Sequence, residues 1–256
     1  MFNSFNDPPF FEGVTVGFPV LPEGPGGRPR AVFEQTILMF HRFARDQAVA
    51  FTLTNLAVIH RSQGRAAEAR SRLDEALARY RALDDRAGEA LALTGLGNWS
   101  RTFGEPDRAR AYLADALALR LGGGDHRAIA STEWDLALAA ASAGDLDEAR
   151  TLFGTLRERL RLADDGPGFA GVLIDWGLAE EWAGELDRAE ELLTEGAEHW
   201  DVVSRGPWLG WCWLALADVR SELGKADAAA DALDRARTVF ELMGDARGLE
   251  LCRVPA

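Results

Sequence analysis

The chain has 256 residues, 47% of them hydrophobic, and a formal net charge of −13. That composition folds around a core, unlike a disordered chain, and its acidity argues against binding along a nucleic-acid phosphate backbone. No run of about 18 apolar residues exists to span a membrane. Met1 to Phe11 lacks the basic stretch followed by an apolar one that marks a secretory signal. The cysteines Cys212 and Cys252 form no disulfide framework, so the expected compartment is the cytoplasm.

In chain order, residues 1–29 do not repeat anything later. They hold Phe2, Phe5, Phe10, Phe11 and Phe18, six prolines, and the stretch Gly24-Pro25-Gly26-Gly27, which no helix accepts. Five phenylalanines are unusual for a free tail, so Phe10 to Val20 is expected to dock on the rest of the chain as a cap or an internal ligand. An unpaired helix is expected near 30–44, carrying Phe33, Phe40 and Phe43. Helical pairs then follow near 48–62 and 66–82, 88–102 and 106–121, 127–142 and 146–162, 168–182 and 186–202, and 208–222 and 226–242. A shortened helix from Ala246 to Arg253 closes the series. The chain thus divides into an N-terminal segment, 1–29, and one repeat region, 30–256.

The pairs follow from a period of 40 residues: Gly64, Gly104, Gly144, Gly184 and Gly224 recur without a slip. Five residues after each comes Ala69, Ala109, Ala149, Ala189 or Ala229, and eight before each lies Leu56, Leu96, Leu136, Trp176 or Leu216. The next residue is always small: Ala57, Gly97, Ala137, Gly177, Ala217. Apolar columns at i, i+4, i+7 and i+8 make each segment an amphipathic helix. Small columns let helix backbones approach. The repeating glycine supplies the left-handed residue that ends the first helix of each pair. Asp85, Asp125, Asp165 and Asp245 share one column and read as N-caps of first helices. Pro106 fits a helix start, where its missing N–H is not needed.

These columns resemble the tetratricopeptide repeat over roughly residues 30–253. The second pair carries the signature residues Leu93, Leu96, Gly97, Ala109, Leu113 and Ala116, and the fifth carries Trp213, Leu216, Ala217, Ala229, Leu233 and Ala236. The usual period is about 34, and the six extra residues here lengthen the second helix. A 40-residue period also admits HEAT-like repeats. The Arg- and Ala-rich junctions, such as Leu83 to Ala90, resemble repeat regions of large actinobacterial regulators. The resemblance implies an all-α, right-handed superhelical solenoid of five helix-turn-helix repeats flanked by half-repeats, with the first helices lining a concave groove.

A protein or peptide is therefore the expected partner, held in that groove. The groove columns place Thr54, Asn55, Arg61, Asn98, Arg101, Trp134, Asp135, Asp175, Trp182, Trp211 and Asp218 as candidate contacts. The tryptophans offer anchors, though each could equally pack against neighbouring helices. Arg61 and Arg101 lie toward one end, and Asp135, Asp175, Glu181 and Asp218 toward the other, which suits an extended peptide or an amphipathic helix. The Lys/Asn carboxylate clamp of some family members is absent as a set. Small-molecule binding or catalysis in an enclosed pocket is the second class of function. Self-association, suggested by Trp200, Trp208, Trp211 and Trp213, is the third. No metal, cofactor or nucleophile motif appears. Asp135 with Asp175, and Glu180 with Glu181, are the acid pairs available for catalysis. Loose pairs of this kind are commoner on solvated faces.

Overall fold

The protein is described by a computed structural model over Thr36, residues 46–203 and residues 207–253. The Phe/Pro-rich segment 1–29 and, apart from Thr36, the expected helix near 30–44 lie outside the described residues. Among those residues there are eleven helices and no strand. They are α1 (Asp46–Ser62), α2 (Ala66–Ala82), α3 (Arg86–Thr102), α4 (Pro106–Leu121), α5 (His126–Ser142), α6 (Leu146–Leu162), α7 (Gly166–Trp182), α8 (Leu186–Val203), α9 (Pro207–Glu222), α10 (Ala226–Met243) and α11 (Ala246–Leu251). No helix among the described residues is long and apolar enough to cross a membrane. The chain divides into two compact units, Met1–Ala143 and Gly144–Ala256. The first holds α1 to α5 and the second α6 to α11.

The turns follow from the two glycine and aspartate columns. Gly64, Gly104, Gly144, Gly184 and Gly224 have φ between +69° and +81°, so each first helix ends in the left-handed conformation that costs other residues most. The opposite junction uses the same geometry with Asp84 (φ 53°), Gly124, Asp164 (φ 54°) and Gly244. Aspartate tolerates that region better than most side chains. One residue further on, the carboxylates of Asp85, Asp125, Asp165 and Asp245 accept from backbone N–H groups in the first turns of α3, α5, α7 and α11. Asp145 does the same for a second helix, α6. Each cap satisfies donors that would otherwise go unpaired, worth about 1 kcal/mol.

Packing is set by small residues under large ones. A Cβ on Gly97 would come within 2.6 Å of the Leu113 side chain, and one on Gly177 within 2.7 Å of Leu193. At the repeat junctions Tyr80 lies over Gly88, where a Cβ would fall 2.0 Å from the ring, and Phe240 lies over Gly248 in the same way. The first unit's core joins Leu53, Leu73, Tyr80, Leu93 and Leu96, with Trp99 and Tyr112 at its edge. In the second, Phe153 stacks on Trp176 at 5.9 Å and Trp211 meets Phe240 edge-on at 5.2 Å. Cys212 and Cys252 are free thiols buried as packing residues. Successive first helices also touch, α1 on α3 and α3 on α5 in one unit, α7 on α9 in the other. The first helices of each unit carry the candidate residues.

Candidate functional site

In the first unit, polar side chains join the three first helices. Arg61, in the last turn of α1, donates from Nη1 to Thr102 Oγ1 on α3 at 3.1 Å. Thr102 in turn donates to the Asn98 carbonyl at 2.8 Å, which fixes its hydroxyl. The Asn98 amide donates to Asp135 on α5, and the Arg101 guanidinium acts on the same carboxylate. Arg120, in the last turn of α4, donates to the Ala128 carbonyl at 2.7 Å and to Thr132. Arg61, Arg101 and Arg120 thus all act electrostatically on one acid. Burial pushes the Asp135 carboxyl up to about 6, and Arg101, Asn98, Arg120 and Arg61 pull against that rise. Two amide atoms on these first helices, Asn55 Nδ2 on α1 and Asn98 Oδ1 on α3, are buried without a hydrogen-bond partner.

In the second unit the first-helix row is acidic. Burial pushes the Glu181 carboxyl up to about 7, helped by the charges of Asp218 and Glu222. Asp218 is raised too, chiefly by burial. Next to Glu181 in sequence, Trp182 is 56% exposed, which is unusual for that residue. No group of three or more acids, histidines or cysteines among the described residues could hold a metal ion.

The candidate residues separate into three sets. Arg61, Asn98, Arg101 and Asp135 come together, with Asn55 on the same row. Trp182 and Asp218 belong to the acidic row. The other four are buried: Thr54 at 2%, Trp134 at 9%, Trp211 at 8% and Asp175 at 3% exposure. Thr54 donates to the Ala50 carbonyl at 3.0 Å and shares a hydrogen bond with Tyr80, whose hydroxyl burial pushes up to about 12. Trp211 is covered by Phe240 and by the Arg247 guanidinium at 5.8 Å. The burial of Trp134 and Trp211 corrects the expectation that their indoles are exposed.

The expected charge gradient changes as well, because Asp135 sits among arginines and not among acids. Glu180 and Glu181 differ in their surroundings. Glu180, 1% exposed, accepts from Arg150 at 2.9 and 2.6 Å and from Trp176 Nε1 at 2.8 Å, and forms an ion pair with Arg188 at 3.1 Å. Its neighbour Glu181 faces Asp218 and Glu222 instead. Sequence reading missed Arg120, although a signal existed. Its column reads Tyr80, Arg120, Leu160, Trp200, Phe240, and a lone guanidinium in an apolar packing column marks a local change of use.

The decisive comparison is with family profiles. The profile described as Tetratricopeptide repeat matches residues 48–121 and 169–241. The chain belongs to the tetratricopeptide repeat family. The two matched stretches of this tetratricopeptide protein each cover most of two helical pairs, α1 to α4 and α7 to α10. Among solved structures, BtubC from P. vanneervenii is similar with a TM-score of 0.71 at 19% identity, over 87% of this chain and 94% of its own. A Rap protein complexed with Competence and Sporulation Factor gives 0.69 at 15%, over 88% of this chain and 67% of its own. Aspartyl phosphate phosphatase F from Bacillus subtilis gives 0.72 at 12%, over 84% of this chain and 57% of its own. Identities this low show a shared fold. A search of curated proteins finds no match.

Proposed function

We propose that this chain is a non-catalytic recognition module that takes an extended peptide segment of a partner on its first-helix row, as part of a regulatory process in the cytoplasm. The observation that carries the reading is the pair of buried amide atoms, Asn55 Nδ2 on α1 and Asn98 Oδ1 on α3, left without hydrogen-bond partners. An unsatisfied buried polar atom costs about 1–3 kcal/mol. Peptide backbone offers what both atoms lack, a carbonyl for the Asn55 amide and an N–H for Asn98 Oδ1. Two similar structures support the same direction, being Rap proteins bound to Competence and Sporulation Factor and to the Phr* peptide.

The test is a synthetic array of random extended peptides, probed with the whole chain and with Asn55→Ala and Asn98→Ala. Each alanine variant should keep the helical circular dichroism and lose roughly tenfold in affinity, the equivalent of one good hydrogen bond to a buried amide. Unchanged affinity in both variants, or an array with no binder at all, would overturn the reading.

A further inference from the structure

We infer that two ion-pair clusters of opposite sense fix the order in which the repeats of the second unit stack. Each second helix then accepts only its own following first helix, whether the choice is offered by this chain or by another copy of it. The junction of α6 with α7 is held by Arg150 on α6, which reaches Glu180 at 2.6 Å and Glu185 at 3.6 Å. The junction of α8 with α9 is held by Glu190 on α8, which pairs with Arg220 at 3.1 Å and with Lys225. In the 40-residue register Arg150 and Glu190 share one column, Glu180 and Arg220 a second, and Glu185 and Lys225 a third. All three columns change sign together from one junction to the next.

The apolar columns do not make this distinction. Ala149 and Ala189 are both buried at the starts of their helices, and Phe153 and Leu193 are both fully covered one turn later. A packing surface that recurs every 40 residues would take a first helix from the wrong repeat, because apolar surfaces of similar size substitute for one another at small cost. Misassembly and exchange between copies are the characteristic failures of such arrays. The charges separate the junctions. Docking α9 on α6 would set Arg150 against Arg220 and Lys225. Docking α7 on α8 would set Glu190 against Glu180 and Glu185. Glu180 is buried, and Glu190 and Arg220 are only 19% and 15% exposed, so repulsion there is screened less than at an open surface. Discrimination of this kind comes from the penalty on the wrong partner as much as from attraction to the right one. Trp176 and Arg188 also hold Glu180, at 2.8 and 3.1 Å, so the α8–α9 junction is the one that can be inverted without disturbing other partners of a buried acid.

The experiment gives the second junction the signs of the first, with Glu190→Arg, Arg220→Glu and Lys225→Glu together. Each protein is unfolded in urea, refolded at low and at high concentration, and compared by light scattering with the same protein never unfolded. Glu190→Arg alone should lower the melting temperature, because it adds a cation beside Arg220 and Lys225. The triple variant should regain what that change loses, since its pairs are restored with reversed sign. On refolding at high concentration the triple variant should nevertheless form roughly tenfold more dimer than the unaltered chain, as expected once a like-charge penalty on exchange is gone. Asp234→Arg with Arg237→Asp inverts an ion pair that lies wholly on α10 and should leave refolding unchanged. No increase in dimer in the triple variant would overturn the inference, as would an equal increase in the α10 inversion. So would a triple variant that melts no higher than Glu190→Arg.

Discussion

Arg120 donates to the Ala128 carbonyl at 2.7 Å, in the place where Tyr80 covers Gly88 one repeat earlier. The two pairs are equivalent by the 40-residue register, and the small residue beneath changes with the large one above. Without a ring to accommodate, the third repeat can carry Ala128. The extended second helix of this repeat variant brings residue 120 far enough to serve α5 and, through it, Asp135.

Replacing Arg120 with Leu restores the apolar column. It also removes one of the charges that restrain Asp135, so the Asp135 carboxyl should titrate above its present value of about 6. Carboxyl carbon shifts followed by NMR across the pH range measure this directly. Stability should fall at neutral pH, because the buried carboxylate loses one of its compensating charges, and the loss should shrink in acid as Asp135 takes a proton.

Glu181 makes stability depend on pH with a definite sign. Its folded-state value of about 7 lies above the ordinary carboxylate range, so the folded chain favours the protonated form. Stability from this group is full in acid and is lost as pH rises from the unfolded value toward 7. Glu181→Gln should therefore raise the melting temperature at about pH 8, by the equivalent of about 1–3 kcal/mol, and have little effect at about pH 5. A uniform gain at both pH values would show that charge is not the cause.

Glu180 behaves in the opposite way. Burial alone would raise its carboxyl, but Arg150, Trp176 and Arg188 outweigh that and hold it below the ordinary value. Its contribution is present above the unfolded value and lost as pH falls through the depressed folded one. Glu180→Ala leaves Arg150 and Arg188 beside an empty site. It should cost about 2–4 kcal/mol in urea titrations at neutral pH, less than a fully buried pair because both arginines can reach water. The cost should shrink in acid.

Two glycine substitutions in the same repeat separate backbone strain from crowding. Gly104→Ala meets nothing within 4 Å but must hold φ +80°, so it should cost about 1–2 kcal/mol that no neighbouring change can recover. In Gly97→Ala the new Cβ lies 2.6 Å from Leu113, and its cost of about 1–3 kcal/mol should be largely recovered when Leu113 is also shortened to Ala. Thermal melts of the four proteins test both.

The sequence by itself determined the repeat. Helix ends, glycine turns and aspartate caps are local requirements, each met by residues within a few positions, and a period that never slips copies them along the chain. Family membership was legible for the same reason, since Leu96, Gly97, Ala109 and Leu113 are the residues that pack a helical pair. The candidate site was legible only as a set of columns. Thr54 and Trp134 occupy the same column, as do Asn55 and Asp135, and nothing in the spacing says which member reaches solvent. Tertiary structure decided that. Helix rotation turned Thr54 toward Tyr80 and left Trp182 exposed. Contact between successive first helices brought Asn98 and Arg101 to Asp135, and the lengthened α4 added Arg120 from outside the columns. Charge in a folded chain depends on which groups share a low-dielectric space. That is why Asp135, an acid by column, became the centre of a basic cluster.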